Sequence, residues 1–259
     1  MELLIENGIG LLYFNRPEIY NPLDLKTARE LYSNLRKLSI DKTVKAVIIS
    51  GRGKAFCAGG DIRAVLKHKD GPAAAFHEMA INVQPCIMEM RNMQKPIIAA
   101  INGVAAGGGF SISLAADFRI MDPKAVMKLG FTSNALSVDA AGTFNLPRIV
   151  GNAKALEIAT FDEPINAEEA LRIGLVNKIS EEGKVVEFAK EYAMKICEKS
   201  LHTFSWSKRL INSSFESTIE TQMEKEHQAL VICVSHPDGI EGITAFVEKR
   251  KAVYNSYEL

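Results

Sequence analysis

The chain has 259 residues, of which 47% are hydrophobic and 24% are charged, so it is long enough to bury a full hydrophobic core. Lysine plus arginine equals aspartate plus glutamate, at 31 each, which argues against a nonspecific nucleic-acid or anionic-membrane surface. Four widely spaced cysteines and no signal-peptide pattern predict a cytoplasmic protein with reduced thiols and no bound metal. No apolar stretch is long enough to cross a bilayer, so we expect no membrane association.

The first two thirds of the chain alternate apolar strands with helical patterns. In chain order we predict a strand at 9–14, a helix at 25–38, a strand at 44–50, helices at 62–69 and 73–93, a strand at 96–101, a helix at 110–116 and a strand at 118–121. This alternation favours an α/β fold.

Beyond about Ala167 the strand signals fade and helical spacing takes over. We predict helices at 168–173, 184–199, 203–216, 219–235 and 239–254. The apolar faces of these helices have to be buried, either against the core or against another subunit.

Two glycine-centred segments carry the chemical signal of this sequence. They are KAFCAGGD at 54–61 and NGVAAGGG at 102–109, and each follows a β-branched run and opens into a helical pattern. A strand, a glycine-rich turn and a helix leave backbone N–H groups free to face an oxyanion. The two segments together predict a site that holds a developing negative charge. Cys57 lies within the first segment, and we interpret it as a small packed residue because no histidine is near it in sequence.

These segments, in order with GT at 142–143, LPRIVG at 146–151, ALRIGLV at 170–176 and FVEKRK at 246–251, resemble the enoyl-CoA hydratase/isomerase (crotonase) superfamily nearly end to end. The resemblance implies an α/β fold with a core of repeated ββα units and a helical C-terminal region for trimerisation. It also implies an acyl-CoA thioester as substrate, with CoA as part of it and no separate cofactor. On this basis we expect residues 1–195 to form the acyl-CoA-binding core. Residues 196–259 would form the helical region through which copies of the chain assemble into a homotrimer or a hexamer built as a dimer of trimers.

The resemblance further implies which residues contact the substrate. By motif match, the N–H groups of Ala58 and Gly108 hold the thioester oxygen. The other expected substrate-binding residues are Gly59, Asp61, Ile62, Gly107, Ser111, Phe131, Phe246 and Lys249. For Asp61 the helix-capping role is the stronger interpretation. Phe246 and Lys249 belong to the segment that covers the CoA nucleotide in this family, and residues 16–23 are a second candidate contact.

Enzymes of this superfamily that catalyse different reactions differ in the residue that acts as acid or base. Hydratases of the family hold water with two glutamates, at the positions that are Ser111 and Phe131 here. Isomerases of the family carry a carboxylate at the position of Asp139, and those with one Asp and an apolar residue at the Phe131 position, such as the phenylacetate-pathway ring isomerases, resemble this chain most. Aryl-CoA dehalogenases use the Asp139 position as a nucleophile beside a tryptophan, but the one tryptophan here is Trp206.

Asp139 also suits a general base on physical grounds, because its neighbours Val138, Ala140 and Ala141 are apolar. The competing interpretation is a structural helix cap. For the five histidines we favour surface or capping roles. The sequence therefore predicts an acyl-CoA isomerase that uses Asp139, with an enoyl-CoA hydratase or a weakly catalytic acyl-CoA-binding homologue as alternatives.

Overall fold

The computed structural model describes residues 1–256, which form two sheets surrounded by helices. The strands are β1 Glu2–Glu6, β2 Ile9–Phe14, β3 Ala46–Gly51, β4 Ala55–Cys57, β5 Ile97–Ile101, β6 Val104–Ala106, β7 Phe118–Met121, β8 Val126–Lys128, β9 Ile165–Asn166 and β10 Lys178–Ile179. The helices are α1 Leu25–Ile40, α2 Ile62–Leu66, α3 Gly71–Asn92, α4 Gly108–Ala115, α5 Gly142–Val150, α6 Asn152–Phe161, α7 Ala167–Arg172, α8 Val185–Cys197, α9 Leu201–Ser214, α10 Ile219–Ser235 and α11 Pro237–Glu248.

The two sheets are built from a unit that repeats along the chain. The larger sheet has the order β1-β2-β3-β5-β7-β10, and the smaller has the order β4-β6-β8-β9. In each unit the first strand (β3, β5 or β7) joins the larger sheet and the next (β4, β6 or β8) joins the smaller, before a helix follows. The expected ββα core is therefore confirmed. The larger sheet is parallel except at β1, which pairs antiparallel with β2.

The buried strands of the larger sheet alternate their side chains between two apolar clusters, as the period of two requires. Leu11 and Ile48 lie in the cluster that packs against α8. Leu12 and Ile49 point the other way, into the larger cluster shared with α1, α3 and the smaller sheet. Because both faces are covered, these strands carry continuous apolar runs.

The smaller sheet positions the functional loops. Cys57 on β4 pairs in parallel with Ala105 on β6, and Ala106 on β6 pairs in parallel with Lys128 on β8. The carboxyl ends of parallel strands lie at one edge of a sheet, so the segments after β4, β6 and β8 converge there. These segments contain both glycine motifs and the stretch from Leu129 to Asp139.

The C-terminal helices are attached through α9. The Lys208 ammonium donates to an Asp117 carboxylate oxygen at 2.9 Å and to the Met90 carbonyl at 2.8 Å. Arg91 and Asn212 also donate to each other's backbone carbonyls, at 2.6 and 3.2 Å. Helices α10 and α11 bury only Ala229, Asp238 and Ala245.

The predicted boundary at residue 195 lies in the last turn of α8, and the last three residues of the predicted 196–259 region lie outside the described part of the chain. Helix α11 ends at Glu248 rather than at 254, because Lys249 adopts a left-handed conformation that ends it. Within residues 1–256 no single helix is long and apolar enough to span a membrane, and α10 with α11 meets that test only as a pair bent by 77°.

Candidate active site

The two glycine segments come into direct contact. A Cβ built on Gly59 would lie 3.2 Å from the Gly108 nitrogen and 2.9 Å from the Ala106 oxygen. Gly59 also has a φ of +90°, so glycine is required there for both space and conformation. Gly130, after β8, packs in the same way against the Gly107 nitrogen, at 3.0 Å from its built Cβ. The loops that follow β4, β6 and β8 therefore meet at one point.

Within residues 1–256 the Gly108 N–H at this point has no hydrogen-bond partner. It is the first residue of α4, and its N-cap, Gly107, makes no side-chain capping hydrogen bond. The first N–H groups of a helix have no partner within the helix, and the helix dipole favours negative charge there. The expectation of Gly108 as an oxyanion donor is compatible with this geometry, and it stays a prediction.

The N–H of Ala58 is not free, which corrects the sequence interpretation. It donates to the Tyr20 carbonyl at 3.0 Å. Two residues on, the Gly60 N–H has no hydrogen-bond partner within residues 1–256, and a Cβ at Gly60 would meet nothing within 4 Å. Gly60 is thus the residue of this loop whose amide is available. Cys57, at the end of β4 before this loop, is fully buried, and burial raises the pKa of its thiol to about 12, in keeping with a packed residue.

Asp139 is partly exposed and does not cap a helix. Helix α5 begins at Gly142, and its N-cap is Ala141, so the capping interpretation is wrong. The Asp139 carboxylate instead accepts the neighbouring Ala140 N–H at 2.5 Å, while its backbone carbonyl accepts the Gly142 N–H at 3.0 Å. Ala140 and Ala141 both adopt positive φ, 52° and 57°. Left-handed residues other than glycine are costly, and such strain clusters at functional sites.

Ser111 joins the oxyanion helix to the Asp139 loop. It lies one turn after Gly108 on α4, is fully buried, and its hydroxyl has no hydrogen-bond partner in the described chain. A Cβ on Gly142 would lie 2.7 Å from the Ser111 oxygen and 2.6 Å from a Val138 methyl group. The start of α5, three residues after Asp139, is thus packed directly onto α4.

Phe131 is buried, and its loop is held by Asp162, a residue that the sequence analysis did not single out. The Asp162 carboxylate accepts the Gly130 N–H at 2.5 Å, the Ser133 N–H at 2.9 Å and the Ser133 hydroxyl at 2.6 Å. Burial opposes the charged form, but these hydrogen bonds hold the pKa of Asp162 below its usual range. Its position just after α6 carries no sequence signal for a partner some thirty residues earlier.

The remaining predicted residues lie in two places. Asp61 caps α2 through the Ala64 N–H at 3.1 Å, and pairs with Arg16 at 3.3 Å, which confirms the capping interpretation. Ile62 follows it and is exposed. Phe246 and Lys249 lie at the end of α11, where Phe246 is 84% exposed, and their contact with the substrate stays a prediction.

A large cavity borders the Asp139 loop. It has a volume of about 970 Å³ and extends from Ala141 and Phe144 on one side to Trp206 and Arg209 on α9 on the other. His202 also lines it, stacked on His236 with ring centroids 3.9 Å apart. No group of three or more metal-ligating side chains occurs in residues 1–256.

Comparison with known proteins identifies the family. The pattern of the enoyl-CoA hydratase/isomerase family matches residues 4–257. The chain belongs to this family. It is 34% identical to a crotonyl-CoA hydratase of Syntrophomonas wolfei over 252 residues, covering 97% of this chain and 96% of the relative. It is 29% identical to the 1,2-epoxyphenylacetyl-CoA isomerase of Escherichia coli over 250 residues, covering 95% and 94%.

Solved structures of the family share the fold. A crystal structure of an enoyl-CoA hydratase from Polaromonas sp. JS666 superimposes with a TM-score of 0.93 at 29% identity, covering 98% of this chain and 99% of that one. The expected crotonase-type architecture is therefore confirmed. The relatives carry both hydratase and isomerase names, so the reaction has to be argued from this chain's own site.

Proposed function

We propose that this enzyme is an acyl-CoA isomerase that moves a double bond along the acyl chain. Asp139 takes a proton from one carbon, and the electrons of that C–H bond delocalise onto the thioester oxygen as an enolate. The protonated Asp139 then returns the proton two carbons away, so the product has the same mass as the substrate. No separate cofactor takes part, since CoA belongs to the substrate.

One observation carries this proposal: of the carboxylates in or beside the three converging loops within residues 1–256, Asp139 is the one that neither caps a helix nor anchors a distant loop. Asp61 caps α2, and Asp162 is engaged by Gly130 and Ser133. The positions of the two hydratase glutamates hold Ser111, which is fully buried, and Phe131, which is 8% exposed. Neither can deprotonate water. A single carboxylate that acts first as base and then as acid is sufficient for isomerisation.

The enolate oxygen is held by two backbone donors, which we assign to Gly108 and Gly60. Gly60 replaces Ala58 because the Ala58 amide already donates to Tyr20. Gly59 and Gly107 allow the two loops to approach each other, and we expect the buried Ser111 and Phe131 to line the substrate site beside them. Removal of one such donor costs about 3–4 kcal/mol of activation free energy in other enzymes.

The direct experiment is to incubate the protein with 3-enoyl-, 2-enoyl- and cyclic acyl-CoA thioesters and to follow product mass. Isomerisation leaves the mass unchanged, whereas hydration adds one water. The hydratase alternative rests on the names of relatives such as the crotonyl-CoA hydratase. Incubation in deuterated water separates the third alternative, because a protein that only binds acyl-CoA does not exchange protons of the acyl chain.

We further propose that copies of this chain associate through the C-terminal helices as a homotrimer or a dimer of trimers. Large apolar side chains are exposed there, among them Ile211, Phe215, Leu230, Val231, Ile243 and Phe246. Exposed apolar patches of this kind mark interfaces. Phe246 and Lys249 would then contact CoA in a neighbouring copy. A stable monomer in light scattering at micromolar concentration would contradict this, and the cytoplasmic location stays a prediction.

A further inference from the structure

Two arginines distant in sequence, Arg91 and Arg209, line the cavity beside the Asp139 loop, and a third, Arg148, contacts the same Phe144 ring as Arg91. The Arg148 and Arg91 guanidinium carbons lie 3.5 and 4.7 Å from the centre of the Phe144 ring. Arg209 lies on α9, with its guanidinium carbon 5.3 Å from the Trp206 ring. Arg91 and Arg209 line the 970 Å³ cavity together with Phe144 and Trp206.

In the described part of the chain these guanidinium groups have no carboxylate within ion-pair distance. Many charged side chains of this protein form ion pairs, but within residues 1–256 none of the ion pairs includes Arg91, Arg148 or Arg209. Arg91 makes one side-chain hydrogen bond, to the Asn212 carbonyl at 2.6 Å, and leaves most of its donors unused. Lys208, the other cation of the cavity wall, is already paired with Asp117 at 2.9 Å.

The position of Arg91 makes its charge costly. It is half-buried between α3 and α9. Burial and the nearby Arg148 charge lower the pKa of its guanidinium, and the Glu216 charge partly offsets this decrease. Glu216 also lines the cavity and is exposed, but it forms no ion pair with Arg91 within residues 1–256. A partly desolvated cation is stabilised when an anion with matching geometry binds beside it, and a planar carboxylate fits a guanidinium in two-point fashion.

The cavity lies beside the loop that carries Asp139. Ala141 lines it and is two residues from Asp139, and Phe144 follows on the first turn of α5. In the proposed binding mode, an acyl chain whose reacting carbons lie at Asp139 would pass Ala141 and enter this space. The volume of 970 Å³ accommodates several further carbons and a terminal group.

We infer that the preferred substrate is an acyl-CoA whose acyl chain ends in a free carboxylate, bound in this cavity by Arg91 with support from Arg209. This inference rests on the proposed isomerase function, because it places the reacting carbons at Asp139. The apolar walls formed by Ile87, Phe144 and Trp206 contact the intervening carbons.

The test compares matched pairs of 3-enoyl-CoA thioesters of several chain lengths, one member ending in a methyl group and the other in a carboxylate. We expect the intact enzyme to favour the carboxylate member by roughly ten- to hundredfold in kcat/KM, the range for one charge-assisted hydrogen-bonded contact. Arg91→Gln should abolish this preference, mainly through KM, while the methyl-ended substrate changes little. Arg91→Lys should retain part of the preference.

Asn212→Ala is the matched control. It removes the hydrogen bond that the Asn212 side chain donates to the Arg91 carbonyl, but keeps the Arg91 charge and the backbone carbonyl that accepts from its guanidinium, so the preference should survive any loss of stability. Equal turnover of both members by the intact enzyme would overturn the inference and leave the isomerase proposal standing. An absence of isomerisation with every thioester would instead refute the isomerase proposal. If Arg91→Gln lowers the mass in light scattering without changing the substrate preference, the arginines pair with a carboxylate of another copy, and the inference is wrong.

Discussion

The Ser111 hydroxyl lies 2.7 Å from the place that a Cβ on Gly142 would occupy, so α4 and α5 meet there without space between them. Ser111 is fully buried, and its side chain packs at this contact. The position at which hydratases of the family carry a glutamate is therefore filled by close packing as well as changed in chemistry.

Hydration is accordingly expected to be absent. We predict that the protein adds water to 2-enoyl-CoA poorly or not at all, because Ser111 and Phe131 cannot orient and deprotonate a water molecule. Ser111→Glu should destabilise the fold by a few kcal/mol, since it forces a charge and extra volume between α4 and α5. Mass spectrometry and thermal unfolding measure the two effects. Efficient hydration by the unmodified protein would overturn the isomerase assignment.

Gly60 and Ala58 can be distinguished as oxyanion donors by proline substitution. Gly60→Pro removes the free N–H and should lower kcat by about 10²–10³. Gly60→Ala is the matched control and should stay close to normal, because a Cβ there meets nothing within 4 Å. Ala58→Pro should act mainly on stability through the lost bond to Tyr20. A normal kcat for folded Gly60→Pro would exclude this donor.

We expect the left-handed residues Ala140 and Ala141 to fix the orientation of the Asp139 carboxylate at a cost to the stability of the fold. Glycine at both 140 and 141 removes the backbone strain of the left-handed conformations but increases the conformational entropy of the unfolded chain. The free energy of unfolding should therefore stay unchanged or rise by up to about 1 kcal/mol. The rate kcat should fall, because the carboxylate is less well oriented. Ala135→Gly is the control: it also has a positive φ, of 55°, but does not adjoin Asp139. Equal rates for all three proteins would remove the orienting role.

Much of this arrangement follows from the sequence, but some parts of it do not. The glycine segments indicate the family and the α/β core, because their turns and apolar runs are local. Strands β4, β6 and β8 were not predicted as separate strands, since each has only three residues and two lie within or beside the glycine motifs.

The choice of oxyanion donor also cannot be predicted from the sequence. Whether Ala58 or Gly60 has a free amide depends on the Tyr20 carbonyl, which reaches the loop only in the folded chain. The same holds for the arginines at 91, 148 and 209, which three separate helices bring together. Asp139, by contrast, was found from its spacing to the glycine motif and its apolar neighbours.

The Lys208–Asp117 ion pair should make stability depend on pH in a defined direction. Burial raises the pKa of Asp117 above its usual range, so the folded chain binds this proton more tightly than the unfolded chain does. The contribution of this carboxyl group to stability therefore falls as pH rises from the ordinary pKa through the folded one.

Lys208→Met tests this relationship. It leaves the buried carboxylate unpaired and should cost about 3–5 kcal/mol near neutral pH. The deficit should shrink as the pH falls, because protonation of Asp117 removes the uncompensated charge. Denaturant unfolding at several pH values measures it, and Lys208→Met combined with Asp117→Asn should recover part of the loss. A deficit that stays constant with pH would show that the lost charge is not its cause.

The central claim is that Asp139 transfers the proton. The most direct measurement is the rate at which Asp139→Asn converts a 3-enoyl-CoA into its 2-enoyl isomer, with binding of the thioester measured in parallel. The side-chain volume is nearly unchanged, so binding should be retained, while the rate should fall by about two to four orders of magnitude. Near-normal isomerisation by the folded Asn variant would contradict the account.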